Sequence, residues 1–172
     1  IGDKKERAAN ELEGSNLLEM KYCSSDLFAI CDDRLSRITN QKKLKDVFKK
    51  GEVNTCCFNY TSGGEIVYVY SKYSSANENY LTYINANGKV KTTVELSQRP
   101  KYVSSSSNEM TVLFTDKIVT YSLTGGEEKG SAVVDDSVST AHKLSTKCFI
   151  CRHQVIDVTE PSISFGREIL TA

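Results

Sequence analysis

The stretch Ile30, Cys31, Asp32, Asp33, Arg34, Leu35, Ser36, Arg37, Ile38 aligns without a gap on the stretch from Ile150 to Val158, and two further copies lie between them. Phe114 to Tyr121 matches with one residue deleted, and Tyr80 to Ile84 matches the second half. The anchors Leu35, Leu81, Ile118 and Val155 stand 46, 37 and 37 residues apart. The surplus in the first interval falls in a polar stretch, Ser71 to Glu78, that reads as a loop inserted into one copy. A period in this range restricts the chain to architectures in which each unit leaves an apolar face that only a neighbouring unit can cover.

The same order of strands is legible in each copy. A first strand with a polar end (Leu18 to Cys23, Thr55 to Tyr60, Lys101 to Ser104, Ser139 to Leu144) meets a Ser- or Gly-rich turn. The most apolar strand follows: Leu27 to Cys31, Ile66 to Tyr70, Met110 to Phe114 and Cys148 to Cys151. Its composition predicts the middle of a sheet buried on both faces. A third strand holds the anchors and closes in turns such as Asn85 to Lys89 and Thr124 to Glu127, whose Asn-Gly and Gly-Gly pairs supply positive φ. The fourth strand (Leu44 to Phe48, Val90 to Leu96, Gly130 to Val134) carries more charge, as suits a solvated edge.

Four antiparallel strands per unit at this period predict an all-β chain of about four tandem blades, over residues 15–51, 52–99, 100–136 and 137–172, after a polar lead-in at 1–14 that is helical or disordered. The sequence resembles β-propeller blades over nearly its whole length. More narrowly, Tyr80 to Val90 and Asp116 to Leu123, within the stretch Glu65 to Val158, resemble a bacterial family of propeller-like proteins of unassigned function. Members of that family are often tethered by an N-terminal membrane helix, which would make this segment the extracytoplasmic part of an anchored bacterial protein. The chain contains no Trp, so it lacks the Trp-Asp ending of one large propeller class. Four blades is the low end for a closed ring. Because the chain starts at Ile1 rather than Met, we expect further blades outside it, or else a small or open array with exposed blade faces that a second copy could cover.

Lys plus Arg equals Asp plus Glu at 22 each, so no overall field favours nucleic acid or anionic lipid as a partner. No apolar run approaches a membrane span, and the segment reads as soluble and not inserted. The six cysteines Cys23, Cys31, Cys56, Cys57, Cys148 and Cys151 sit mostly in β-branched or aromatic runs, where Cys acts as a small buried hydrophobe. For Cys56 and Cys57, strict alternation sends one side chain inward and one outward.

Cys148, Cys151 and His153, with His142 nearby, have zinc-like residue types, but residues three apart on a strand point to opposite faces, so no metal and no cofactor is expected. Asp32-Asp33 and Asp135-Asp136 read as turn residues rather than paired catalytic carboxylates. Lys42, Lys43, Lys45, Lys49 and Lys50 form a local basic cluster that reads as a solvated edge, and Asn59-Tyr60-Thr61 has the pattern of a glycosylation acceptor. No catalytic residue is assigned.

The main functional expectation is a non-catalytic interaction scaffold that binds a protein, peptide or glycan, with Ser71, Lys72, Tyr73 and Asn77 of the inserted loop as contact residues. The alternative is an enzyme whose active site lies at the channel mouth, where Asn59, Ser104 and His142 from successive first strands would converge.

Overall fold

The computed structural model describes residues 12, 14–39, 41, 43–144, 147–152 and 167–171. Among them every regular element is a strand. The first sheet is an antiparallel meander of β1 (Leu17–Cys23), β2 (Asp26–Cys31), β3 (Leu35–Ile38) and β4 (Leu44–Phe48). The second is β5 (Val53–Tyr60), β6 (Ile66–Lys72), β7 (Ser75–Ile84) and β8 (Val90–Leu96). The third is β9 (Tyr102–Ser105), β10 (Glu109–Leu113), β11 (Lys117–Ser122) and β12 (Glu128–Val133). A three-stranded sheet of β13 (Val138–Leu144), β14 (Lys147–Arg152) and β15 (Arg167–Thr171) follows. Successive sheets stack face to face as blades.

The apolar second strands hold the stack together because their two side-chain rows serve two different junctions. Ile66 and Tyr68 of β6 pack with Phe28, Ile30 and Leu35 of the first blade. Val67 and Val69, one residue out of phase, pack with Val103, Met110 and Val112 of the third. Likewise Val112 and Phe114 face the second blade, whereas Leu113 joins Ile118, Val138 and Ala141 at the next junction. Each such side chain contributes about 1.5–3 kcal/mol when fully buried.

Polar clasps supplement these junctions. The Thr55 N–H donates to Asp32 O at 2.8 Å, and the Thr55 hydroxyl reaches both Cys31 O and the Tyr68 phenol at 2.5 Å. Thr92 Oγ1 donates across the second and third blades to Leu123 O at 3.0 Å and Thr124 O at 2.8 Å. The Asp pairs lie in turns: Asp32 accepts from Asn16 N at 2.9 Å and Asn16 Nδ2 at 2.6 Å, and Asp135 Oδ1 accepts from Ser137 N at 2.9 Å.

Three sequence expectations need correction. Ser71 to Glu78 is not an eight-residue loop: β6 runs through Lys72 and β7 begins at Ser75, so only Tyr73 and Ser74 turn. The additional residues are absorbed as an irregularity in β7, where Ser71 faces Asn79 but Lys72 faces Ser75. Cys56 and Cys57 do not split between inside and outside. A β-bulge between Thr55 and Cys57 breaks the alternation, and both side chains are half-buried against the core between the second and third blades. The place beside β14 that the repeat reserves for a strand about Val155 is taken by β15, which pairs Cys148 with Leu170. Val155 itself, His153 and most of the 1–14 lead-in lie outside the described residues, as do the side chains of Cys148 and Cys151.

Candidate functional site

The inner strands bring the three channel-mouth candidates close to the neighbouring blades, and two of them act as joints. Asn59 on β5 donates from Nδ2 to Val103 O on β9 at 3.1 Å, and its Oδ1 accepts the Tyr60 N–H at 2.7 Å. Ser104 on β9 is 2 % exposed and donates to Ala141 O on β13 at 2.7 Å. Ser105 completes the pattern by donating to Tyr60 O at 3.0 Å. Asn59 therefore sits in a tight inter-blade contact, which leaves its amide poorly placed as a glycosylation acceptor.

His142 is exposed. Its Nε2 lies 3.1 Å from the Tyr102 hydroxyl, with the rings edge to face at 5.4 Å. Burial holds the Tyr102 phenol above its ordinary range, so the phenol keeps its proton at physiological pH.

The inserted residues build a second feature. The end of the β6–β7 hairpin forms one side of a groove of about 450 Å³. One wall is the end of the first blade and its crossover, with Phe48, Gly51, Glu52 and Val53. The other is the hairpin, with Tyr70, Lys72, Tyr73 and Ser74. A volume of this size lies in the range of ligand pockets.

The groove floor belongs to an aromatic run. Phe48 and Tyr70 have ring centroids 4.8 Å apart, and Tyr70 stacks on Tyr68 at 5.6 Å and on Tyr80 at 5.5 Å. The Tyr73 ring stands at the rim, 60 % exposed, while its N–H donates to Glu52 O at 3.2 Å and ties the two walls together.

Both charged rim groups already have partners. The Lys72 ammonium pairs with Glu78 and lies 5.3 Å above the Tyr80 ring. Glu78 accordingly raises the Lys72 pKa, and Lys72 holds the Glu78 carboxyl below its usual range. Glu52 Oε2 accepts the Lys49 N–H at 2.9 Å.

Of the loop residues picked out from sequence, Lys72 and Tyr73 line the groove. Asn77 is exposed and offers its carbonyl to Asn79 Nδ2 at 3.2 Å. Ser71 is 1 % exposed and faces away from solvent, so it cannot touch a partner in this conformation. Phe48, Glu52, Val53 and Tyr70 were not picked out from sequence. The pairing of Tyr70 with Tyr80 across β6 and β7 was the available signal.

Among the described residues no group of three or more His, Cys, Asp or Glu side chains is arranged to hold a metal, and no helix is long and apolar enough to cross a membrane.

No family model matches the sequence, and comparison with curated proteins returns no match. Solved structures do match. The N-terminal domain of Nup159 superposes with a TM-score of 0.57 at 14 % identity, over 90 % of this chain and 44 % of that one. The Pan2 WD40 domain of Neurospora crassa gives 0.57 at 10 % identity, over 90 % and 48 %. BamB from Moraxella catarrhalis gives 0.59 at 13 % identity, over 81 % and 45 %. The chain thus spans about half the length of the solved structures it matches. At these identities the likeness concerns the fold alone, and together with the stacked four-stranded meanders it makes the architecture β-propeller-like.

Proposed function

We propose that the chain is a non-catalytic interaction scaffold that presents a partner-binding surface at the groove between its first two blades. The observation that carries this reading is the division of labour among polar side chains. Asn59 and Ser104, which an active site at the channel mouth would draw on, are engaged with backbone carbonyls of the next blade. The groove, by contrast, stands on inserted residues that the repeat does not need for its own packing, as is usual for binding features on a rigid frame. Among the solved neighbours, Nup159 occurs with Dbp5 bound and BBS1 occurs in complex with ARL6, which lends support to a protein partner.

Self-association belongs to the same reading. Met20 holds the strand position that Phe58 and Val103 hold in the next two blades, judged by register with the second strands. Phe58 and Val103 pack against a neighbouring blade, whereas Met20, with Leu18 and Tyr22 on the same strand, is largely exposed. A second copy or a further blade would cover that stripe. An enzymatic reading rests on the exposed Tyr102–His142 pair alone.

A photo-crosslinking residue placed at position 73, and in a control at the exposed position 133, tests the scaffold. We expect one partner captured at 73 and not at 133. Equal labelling at both positions, or none at 73, would overturn it.

A further inference from the structure

We propose that the groove takes an acidic, extended peptide segment of a partner protein, anchored by one aromatic side chain; the inference rests on the scaffold reading above and names its ligand. Two features that the fold does not require meet here. The first is the aromatic floor of Phe48 and Tyr70 with the Tyr73 ring standing free at the rim. The second is the basic cluster. Lys43, Lys45, Lys49 and Lys50 are all exposed, and they run along β4 and its exit straight into the groove wall.

Lys72 stands on the opposite wall, paired with Glu78. Asp46, on the same strand as Lys45, is held mainly by Arg34 Nη2 and Ser36 Oγ, both at 2.6 Å, with a smaller contribution from Lys49. Although the chain carries no net charge, this surface presents a local positive field that complements an acidic ligand.

Charge alone would suit any polyanion, and the groove narrows the choice. Its two charged rim groups already have partners, so recognition at the opening must come from ring contact and burial rather than from free donors. That disfavours a polyol or a bare phosphate backbone. It favours a peptide that inserts a large side chain and lays acidic neighbours along β4. Aromatic anchors of this kind dominate the energetics of small recognition surfaces.

The test is fluorescence anisotropy with the whole chain and four probes. These are a fluorescein-labelled Asp-Glu-Trp-Asp-Glu peptide, its Lys-Lys-Trp-Lys-Lys counterpart, a single-stranded oligonucleotide and a sulfated oligosaccharide. The acidic peptide should bind at least about tenfold more tightly than the basic one. Tyr73→Ala should weaken it about tenfold, the loss typical of an aromatic anchor. Lys45→Gln combined with Lys49→Gln should weaken it and flatten its salt dependence. All three positions are exposed, and unchanged thermal midpoints would verify that the variants fold.

Equal affinity for both peptides, indifference to Tyr73→Ala, or tighter binding of either polyanion would overturn the proposal. If the folded protein bound none of the probes while crosslinking at position 73 still captured a partner, the ligand class would fall and the scaffold reading would stand. Loss of both would remove both.

Discussion

Replacing Thr55 by valine should cost more stability than replacing Thr55 and Tyr68 together. The hydroxyl of Thr55 has one proton and two oxygen neighbours, Cys31 O and Tyr68 Oη, each at 2.5 Å. A carbonyl can only accept, so Thr55 donates to Cys31 O and the Tyr68 phenol must donate to Thr55. Tyr68 is fully buried, and burial drives its phenol well above the ordinary range, so it is protonated at neutral pH.

Tyr68→Phe removes one hydrogen bond and leaves the Thr55–Cys31 contact in place, a loss of about 1 kcal/mol. Thr55→Val keeps the shape but deletes both bonds and strands a buried phenol, for about 2–4 kcal/mol. In the double variant no phenol remains to be stranded, and the loss should fall to about 1–2 kcal/mol. The coupling energy is then about 2–3 kcal/mol, within the range of contacting pairs. Urea denaturation reads it directly: with a slope of about 1–3 kcal/mol/M, Thr55→Val alone should unfold at lower urea than the double variant, at unchanged slope. Additivity within about 0.5 kcal/mol would refute the donor assignment and with it the clasp between the first two blades.

Three further outcomes follow from individual sites. Gly126 has φ +77°, and a Cβ there would lie 2.8 Å from Thr92 Cγ2, so Gly126→Ala should lower stability by at least about 1–2 kcal/mol in thermal melts. A neutral result would mean that the β11–β12 turn is placed differently. At Asp46, burial pushes the carboxyl up but the Ser36 and Arg34 hydrogen bonds outweigh it, leaving its pKa below the ordinary 3.8. Its contribution should be complete above that value and lost as pH falls through the folded-state pKa, so Asp46→Asn should flatten the stability profile below about pH 4; an identical acid limb in both proteins would count against the pair. The Cys57 thiol is pushed up to about 12 by burial, with neighbouring Cys56 adding to it. In native protein at pH 8 it should alkylate far more slowly than in urea, as followed by peptide mass spectrometry, and equal rates would contradict its placement.

The repeat was legible because it is written in side-chain pattern. Strands β4 and β8 begin and end at the residues expected from sequence, and the apolar runs about Ile66 and Met110 occupy the doubly buried second strands. What sequence could not show was any departure from two-residue alternation. The bulge at Cys56 moves two thiols to one side of the sheet, and nothing in the composition of Thr55-Cys56-Cys57 marks it. The joints made by Asn59 and Ser104 were equally hidden. A polar residue on an inner strand looks the same whether it faces an open channel or a neighbouring carbonyl, and only the stacking of β5, β9 and β13 decides between them.

The inserted segment is where local and non-local information part. Its polarity marked it as a loop, yet cross-strand pairing with Tyr70 and Lys72 keeps Ser75 and Tyr80 in strand conformation, so the hairpin grows in length rather than forming a loose excursion. Growth in length is what makes the groove. Had the same residues formed a flexible loop, Phe48 and Tyr70 would have no opposing wall, and the Tyr73 N–H could not reach Glu52 O. The residues that define the candidate site are thus drawn from two blades about twenty positions apart. Their meeting depends on the register of β6 with β7 and on the packing of the first blade against the second.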